Sequence, residues 1–301
     1  MGVIYMKILN FGSLNIDYVY SVDHFVQKGE TISSSQMNIF SGGKGLNQST
    51  ALGRAGAQVF HAGRIGKGGE FLVEQLKEAG VNTDLVVLDS QCSTGHAIIQ
   101  NDAEGDNCIL LYGGANQRIT KEQIDATLDQ FDAGDYLVLQ NETSNLPYLM
   151  EKAAEKQMKI VLNPSPMDEK IKALPLDKVT LFFVNEIEAA QILGQKELES
   201  TQEAAAAFRS MFPQAAVVLT LGSQGSVYID KDQVIPQKCY KVKAVDTTAA
   251  GDTFTGFFVS GKSPKEALDL ASRASAIAVS RPGAAPSVPT LDEVENWEFA
   301  E

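Results

Sequence analysis

Apolar residues recur along this chain with two different periods. Short runs of aliphatic and β-branched residues read as strands: "KILNFG" (7–12), "QVFHAGRIG" (58–66), "DYLVLQ" (135–140), "MKIVLN" (158–163), "TLFFVN" (180–185) and "AAVVLTLG" (215–222). "KVKAV" (241–245) is a further strand candidate. Between most of them lie amphipathic stretches of helical period, such as "GLNQSTALGRAG" stopping at Gly56 and "GEFLVEQLKEAG" stopping at Gly80. Strands alternating with helices predict an α/β fold: a mostly parallel central sheet covered on both faces, three layers deep. Residues 1–301 read as one domain, without a linker, a low-complexity segment or an internal repeat.

Two stretches break the alternation. Residues 15–40 hold "DYVYSVDHF" and "ETISSSQMNIF", and residues 96–112 read as a hairpin turning at "AEGDN". These helix-free pieces can pair as a small separate sheet over a site, or extend the edge of the main sheet.

Composition narrows the function. The chain of 301 residues has 38 acidic and 25 basic side chains and a net charge of −13, which argues against nucleic acid or an anionic membrane as partner. Cys92, Cys108 and Cys239 have no metal or redox spacing, and an odd count fits no closed disulfide framework, which favours reduced thiols in the cytoplasm. His24, His61 and His96 have no zinc spacing. The N-terminus lacks the pattern of a signal peptide; residues 1–5 read as an extension before a start at Met6. No apolar run reaches the ~18 residues of a membrane span.

In an open α/β sheet, ligands bind beyond the carboxyl ends of the strands. "GSLNID", "NET", "NPSP", "NEIE", "GSQG" and "DTTAAGD" all follow strand candidates. "SGGKGLNQS" (41–49) fails the Walker A spacing, with Asn38 where glycine is required and Gly45 after Lys44, and no dinucleotide fingerprint follows the first strand. A glycine run opening a helix remains, with Lys44 and Asn47 nearby. "TTAAGD" joins small residues, which let an anion approach helix N–H groups, to the carboxylate of Asp252. That pairing suits phosphoryl transfer to a hydroxyl, the carboxylate taking the proton; the same aspartate would equally serve as a helix cap. Asn185 and Glu188 in "NEIE" can face one ligand from a first helical turn or simply begin a helix. "TLGSQG" can hold a phosphate or be only a hairpin turn.

The order of these motifs over nearly the whole chain resembles the ribokinase, or phosphofructokinase-B, family of carbohydrate kinases. The likeness is carried by "GSLNID", "GGKGLNQ", "STGHAIIQNDAEGDN" with "GGAN", "LNPSP", "NEIEA", "TLGSQG", "AVDTTAAGDTF" and "RPGAAPSVP". "GGAN", "PSVP" and Ala249 at the head of the "AAGD" motif resemble the ribokinase branch most. The resemblance implies a ribokinase-like α/β/α domain with a small β-sheet lid that pairs two subunits as a homodimer. It implies ATP, with Mg²⁺, as phosphoryl donor, and a sugar as acceptor, D-ribose at its 5-hydroxyl. Kinases of another furanose or nucleoside (deoxyribose, fructose, pseudouridine) and a non-catalytic sugar- or nucleotide-binding protein are the alternatives.

By position, the resemblance assigns Asn15, Asp17, Gly43, Lys44, Asn47 and Glu142 to the sugar. Asn185 and Glu188 go to magnesium and phosphate, and Thr220, Gly222, Ser223 and Gly225 to the nucleotide. Ala249, Ala250 and Gly251 form an anion hole, with Asp252 as base. Asp246, Thr248, Ala278, Arg281, Gly283 and Ser287 match a potassium site. Two departures stand out: "FFVSGKSPKEAL" (257–268) is several residues shorter than usual, and His96 occupies a lid position where apolar residues are common, with an expected effect on dimerisation or the sugar contact.

Overall fold

The computed structural model describes residues 6–261 and 263–299; residues 1–5, the expected N-terminal extension, and Lys262 in the shortened segment lie outside them. Its elements, in chain order, are β1 (Ile8–Phe11), β2 (Asn15–Ser21), β3 (Gln36–Gly42), α1 (Lys44–Arg54), β4 (Val59–Lys67), α2 (Glu70–Glu78), β5 (Asn82–Ser93), β6 (Gly95–Asn101) and β7 (Asn107–Tyr112). There follow α3 (Lys121–Leu128), β8 (Tyr136–Gln140), α4 (Leu146–Glu155), β9 (Lys159–Asn163), β10 (Val179–Asn185), α5 (Glu186–Ile192), α6 (Thr201–Met211) and β11 (Ala216–Thr220). The chain closes with β12 (Ser226–Ile229), β13 (Val234–Gln237), α7 (Ala250–Val259), α8 (Pro264–Val279) and α9 (Leu291–Asn296).

The main sheet runs β13-β12-β11-β10-β9-β8-β1-β4-β5. From β5 across to β11 all pairs are parallel; β12 and β13 add an antiparallel edge. Side chains of a strand alternate between faces, and the core divides accordingly. Leu137, Leu139, Ile160, Leu162 and Phe182 pack against α3–α6 on one face. Ile8, Val138, Val161, Phe183 and Val218 pack against α1, α2 and α7–α9 on the other. The strands therefore carry apolar residues at nearly every position, as a sheet covered on both faces requires.

The two helix-free pieces form a separate four-stranded sheet in the order β3-β2-β6-β7. Within them the strands are shorter than the stretches they were read from: β2 ends at Ser21 and β3 begins at Gln36. Residues 22–35 include no strand; they hold Gly29 at a positive φ, and only at Ser35, whose N–H reaches Ser21 O at 2.9 Å, does the segment rejoin β2. The hairpin β6–β7 turns at 102–106 as expected, with Asp102 Oδ1 accepting from the N–H groups of Glu104 and Asp106.

"KVKAV" is not a strand. β13 already ends the sheet, and the segment following it is tied instead to the end of α8, where the N–H groups of Val245 and Asp246 both reach Val279 O. Gly56 and Gly80 each take a positive φ just beyond a helix, as their stop role requires.

Candidate active site

Where the strand order reverses, β1's successors β4 and β5 lie on one side and β8–β11 on the other. A crevice at the carboxyl ends of β1 and β8 follows from this topology. The loop after β1 delivers Ser13 to it and leads into Asn15 at the start of β2, and the loop after β8 delivers Glu142.

On β2, Asn15 faces Gly42 and Gly95, and Asp17 faces Phe40 and Ala97, so both side chains point to the same face of the small sheet. Asn15 is buried, and its Oδ1 accepts from Asn116 Nδ2 at 2.7 Å. Asp17 lies against the backbone of Gly42, where a Cβ would fall 2.1 Å from its Oδ2. Gly43 has φ +92° and precedes α1, a conformation that favours glycine. The Glu142 carboxylate accepts from the Lys44 N–H at 2.8 Å and from the Ser13 hydroxyl. Burial, and then the charge of Glu142, raises the Asp17 carboxyl to about 6. Glu142 is likewise pushed up, chiefly by burial, against the opposing effect of the Ser13 and Lys44 hydrogen bonds.

Lys44 is the first residue of α1. Burial pulls its ammonium down, but the carboxylates of Asp252, Glu142 and Glu188 outweigh this and raise it. The ammonium therefore stays charged in a half-enclosed position among three carboxylates, rather than waving in solvent.

Asp252 is the third residue of α7, behind Ala249 at the cap position. It is buried, and both its oxygens face away from its own helix: Oδ2 accepts from Asn47 Nδ2 at 3.0 Å and Oδ1 from Gln48 Nε2 at 2.9 Å. The alternative reading of this residue as a helix cap is thereby corrected. The Ala250 N–H turns back to Thr247 O at 3.2 Å. The next amides, of Gly251 and Asp252, are at a helix N-terminus, where no intrahelical acceptor is available. A Cβ on Gly251 would meet nothing within 4 Å, so open space adjoins this turn.

Two clefts meet there. The larger, about 850 Å³, is lined by Thr220, Gly222, Ser223 and Gly225 from the β11–β12 turn, by Gly251 and by Ser275 of α8. The smaller, about 140 Å³, is lined by Lys44, Asn185, Glu188, Thr248 and Asp252, and shares Thr220 and Gly251 with the first. "TLGSQG" is thus a hairpin turn and a cleft wall together. Asn185 and Glu188 form a reciprocal capping box, Asn185 Oδ1 accepting from the Glu188 N–H at 2.8 Å and Glu188 Oε2 from the Asn185 N–H at 3.0 Å. The helix-start reading and the site reading of this pair coexist, because the box leaves Glu188 at the cleft wall.

The loop of Asp246 and the segment 278–287 also come together. Asp246 Oδ1 accepts from the Thr248 N–H and hydroxyl at 2.9 and 2.5 Å, and Oδ2 from the Gly283 N–H at 3.0 Å. Burial raises the Asp246 carboxyl, but these bonds outweigh it and hold it below its ordinary value. Ala278 O accepts from the Arg281 N–H, and the Arg281 guanidinium is turned to Glu293 at 2.8 Å. Ser287 donates to Ala284 O and makes no hydrogen bond to Asp246.

Several residues of the crevice carried no assignment from sequence. Ser13, Gly42, Gln48 and Asn116 lie inside quoted motifs, yet nothing in their spacing says what each touches. Gln140 offers only a polar residue at the end of an apolar strand. Asn10 and His61 read as ordinary positions of β1 and β4. His96 pairs in register with Ile16 and packs between the rings of Tyr18 and Tyr112, on the face of the small sheet opposite Asn15 and Asp17. The expected effect of His96 on the sugar contact is corrected accordingly.

A profile of the pfkB family carbohydrate kinases matches residues 6–291. Ribokinase of Staphylococcus aureus (strain COL) is 36% identical, over 96% of this chain and 98% of its own length. Among solved structures, ribokinase from Cryptococcus neoformans var. grubii serotype A in complex with ADP superposes with a TM-score of 0.84 at 32% identity, over 96% of this chain and 99% of that one. Arabidopsis thaliana ribokinase complexed with ribose and ATP gives 0.84 at 26% identity, over 97% and 98%.

Proposed function

The chain belongs to the pfkB family of carbohydrate kinases, and we propose that it transfers the γ-phosphoryl group of ATP to the 5-hydroxyl of D-ribose, giving ribose 5-phosphate and ADP. The observation that carries this reading is the junction of the two clefts at Gly251. There a buried carboxylate, Asp252, stands beside the open N-terminus of α7 and the ammonium of Lys44. The relatives with ribose, ATP and ADP in their structures support the choice of substrates.

In this reading the sugar lies under the small sheet, its hydroxyls bonded by Asn15, Asp17, Asn47 and Glu142, with the close approach made possible by Gly42 and Gly43. Each ring hydroxyl then finds a directed partner, and the carboxylates give charge-assisted bonds. Asp252 removes the proton of the attacking hydroxyl. The N–H groups of the "AAGD" turn, from Ala249 and Gly251 and from Ala250 once it leaves Thr247 O, and Lys44 stabilise the charge that spreads over the transferring phosphoryl oxygens. The nucleotide lies in the larger cleft, along Thr220, Gly222, Ser223 and Gly225.

Magnesium would neutralise the β- and γ-phosphates. With one carboxylate, Glu188, and the amide of Asn185 at this wall, the donors fit an ion held mostly by phosphate and water. Potassium would be held by Asp246, the Thr248 hydroxyl and carbonyls of the 278–283 turn. This all-oxygen set suits a large, weakly hydrated cation, and its contribution would be to keep the 246–251 backbone in place. The small sheet serves as a lid. Its outer face carries Met37, Ile39, Ile98, Leu110 and Tyr112 exposed, an apolar patch that favours pairing with a second copy; light scattering that gives a strict monomer at high concentration argues against it. Free thiols at Cys92, Cys108 and Cys239 suit the cytoplasm.

The test is a coupled assay of ADP release over pentoses, hexoses and nucleosides. Ribose should give the highest kcat/KM. A better value for deoxyribose, fructose or a nucleoside would replace the substrate, and no turnover with any of them would leave a binding protein.

A further inference from the structure

Asp252 is one end of a continuous line of buried polar groups that runs beneath the active site from α7 to β4. Gln48, Gln140, Asn10, Ser49 and His61 are all at most 1% exposed. Gln48 Nε2 donates to Asp252 Oδ1 at 2.9 Å; Gln140 Nε2 donates to Gln48 Oε1 at 2.7 Å and to Asn10 Oδ1 at 3.0 Å. Asn10 Nδ2 donates to Gly45 O and to Ser49 Oγ, each at 2.8 Å, and Ser49 Oγ lies 2.7 Å from His61 Nδ1.

The direction of every bond made by the three side-chain amides in this line is forced. A carboxylate only accepts, so Gln48 must present its NH₂ to Asp252 and its oxygen to Gln140. Gln140 must then present its NH₂ to Gln48, and the same two hydrogens reach Gln48 and Asn10. The Gly45 carbonyl also only accepts, which fixes the amide of Asn10 the same way round. Ser49 Oγ accepts from Asn10 and meets His61 Nδ1, the direction of this last bond being set by the imidazole tautomer. Full burial holds His61 down at about 3, so its imidazole is neutral. The amides are thus fixed in orientation from Asp252 to Asn10, anchored at a backbone carbonyl, and the line ends on Ser49 beside a histidine that stays neutral.

We propose that Gln48, oriented by Gln140 and Asn10, is a positioning residue for phosphoryl transfer: it fixes the rotamer of the Asp252 carboxylate from the protein side. The two amides Asn47 and Gln48 hold one oxygen each, so the carboxylate cannot swing toward Lys44 and pair with it in place of meeting the hydroxyl. Lys44 and Glu142 interact electrostatically with Asp252, and Glu188 lines the same cleft. Neutral amides hold the group without adding a charge to the site. Gln140, with no substrate within reach in the proposed reading, acts only through Gln48 and Asn10.

This inference rests on the kinase reading. The experiment compares wild type with Gln48→Met, Gln140→Met and the double variant, each a swap between unbranched side chains of similar volume. Steady-state kinetics are measured with magnesium-ATP and ribose. Gln48→Met is expected to lower kcat by about 10–100-fold, the scale of one hydrogen bond to a charged group, with both KM values within about twofold. Gln140→Met should lower kcat by less, and the double variant should be no slower than Gln48→Met alone, since Gln140 acts through Gln48. Independent, multiplying losses, a change in KM at constant kcat, or unchanged kcat would overturn the proposal. Should Gln48→Met fail to fold, Gln140→Met alone decides it: reduced kcat at constant KM supports the proposal and native kcat overturns it. A crystal structure of Gln140→Met reads the same question without turnover; the contact of Gln48 with Asp252 should lengthen, and an unmoved Gln48 would refute the coupling. A wild type inactive on every sugar tested would instead refute the kinase reading.

Discussion

The raised carboxyl of Asp17 makes the affinity for sugar depend on pH in a way that can be calculated. With the group at about 6, about nine-tenths of the free enzyme is ionised at pH 7 and about one-tenth at pH 5. If only ionised Asp17 accepts the ribose hydroxyls, KM for ribose should rise about tenfold from pH 7 to pH 5, and hardly change from pH 7 to pH 8. The cause is burial first and the Glu142 charge second. Asp17→Asn carries no titrating carboxyl at this position. Its KM should be high and flat over the same range. Stability runs in the opposite sense. A carboxyl with its folded value above the unfolded one binds its proton more tightly when folded, so its contribution is present at low pH and is lost as pH rises from about 4 to about 6. Asp17→Asn should therefore melt higher than wild type at pH 8, the exchange of stability for function expected where charge is buried for binding. The assay is ADP release at saturating magnesium-ATP, with ribose varied at each pH. A wild-type KM that stays level down to pH 5 would refute the reasoning, and so would an equal rise in Asp17→Asn.

Three further outcomes follow from the geometry. Asp252→Asn should keep the fold and lower kcat by about 10²–10⁴-fold, or roughly 3–5 kcal/mol of barrier; near-native kcat would remove Asp252 as the base. Its stability should fall too, because the new NH₂ meets the NH₂ of Asn47 or Gln48, which differential scanning calorimetry will register. Gly42→Ala places a Cβ where Asp17 Oδ2 now lies 2.1 Å away, so the carboxylate must move; KM for ribose should rise about 10–100-fold with KM for ATP unchanged, and a native ribose KM would show that the contact is dispensable. Replacing potassium by sodium or a bulky organic cation at constant ionic strength should lower kcat, and equal rates in all three would dismiss the cation site at Asp246.

The period of the apolar residues was enough to place the central strands, because a strand buried on both faces must be apolar along its length and a helix covering it must be apolar along one stripe. β1, β8, β9, β10 and β11 were legible for that reason. "KVKAV" misled for the same reason: alternation shows that a segment can pair, but β13 had already closed the edge, and only the assembled sheet shows that no partner is left. The two helix-free stretches were visible as exceptions, yet their union into one sheet depends on β2 pairing with β6, about eighty residues apart, which no local pattern contains. In the site, motif order brought Asp252, Lys44 and Glu142 to attention. What holds them did not come with it. Asp252 is gripped by side chains 205 and 204 residues away, and an amide that looks like any other glutamine becomes a fixed donor only because burial forbids it water. The sequence by itself determined which residue types were available and which segments could be strand or helix, since these follow from local propensity and periodicity. The tertiary structure alone decided which polar groups are buried together, and so which hydrogen bonds they are compelled to make, because desolvation and hydrogen-bond direction depend on neighbours that are distant along the chain.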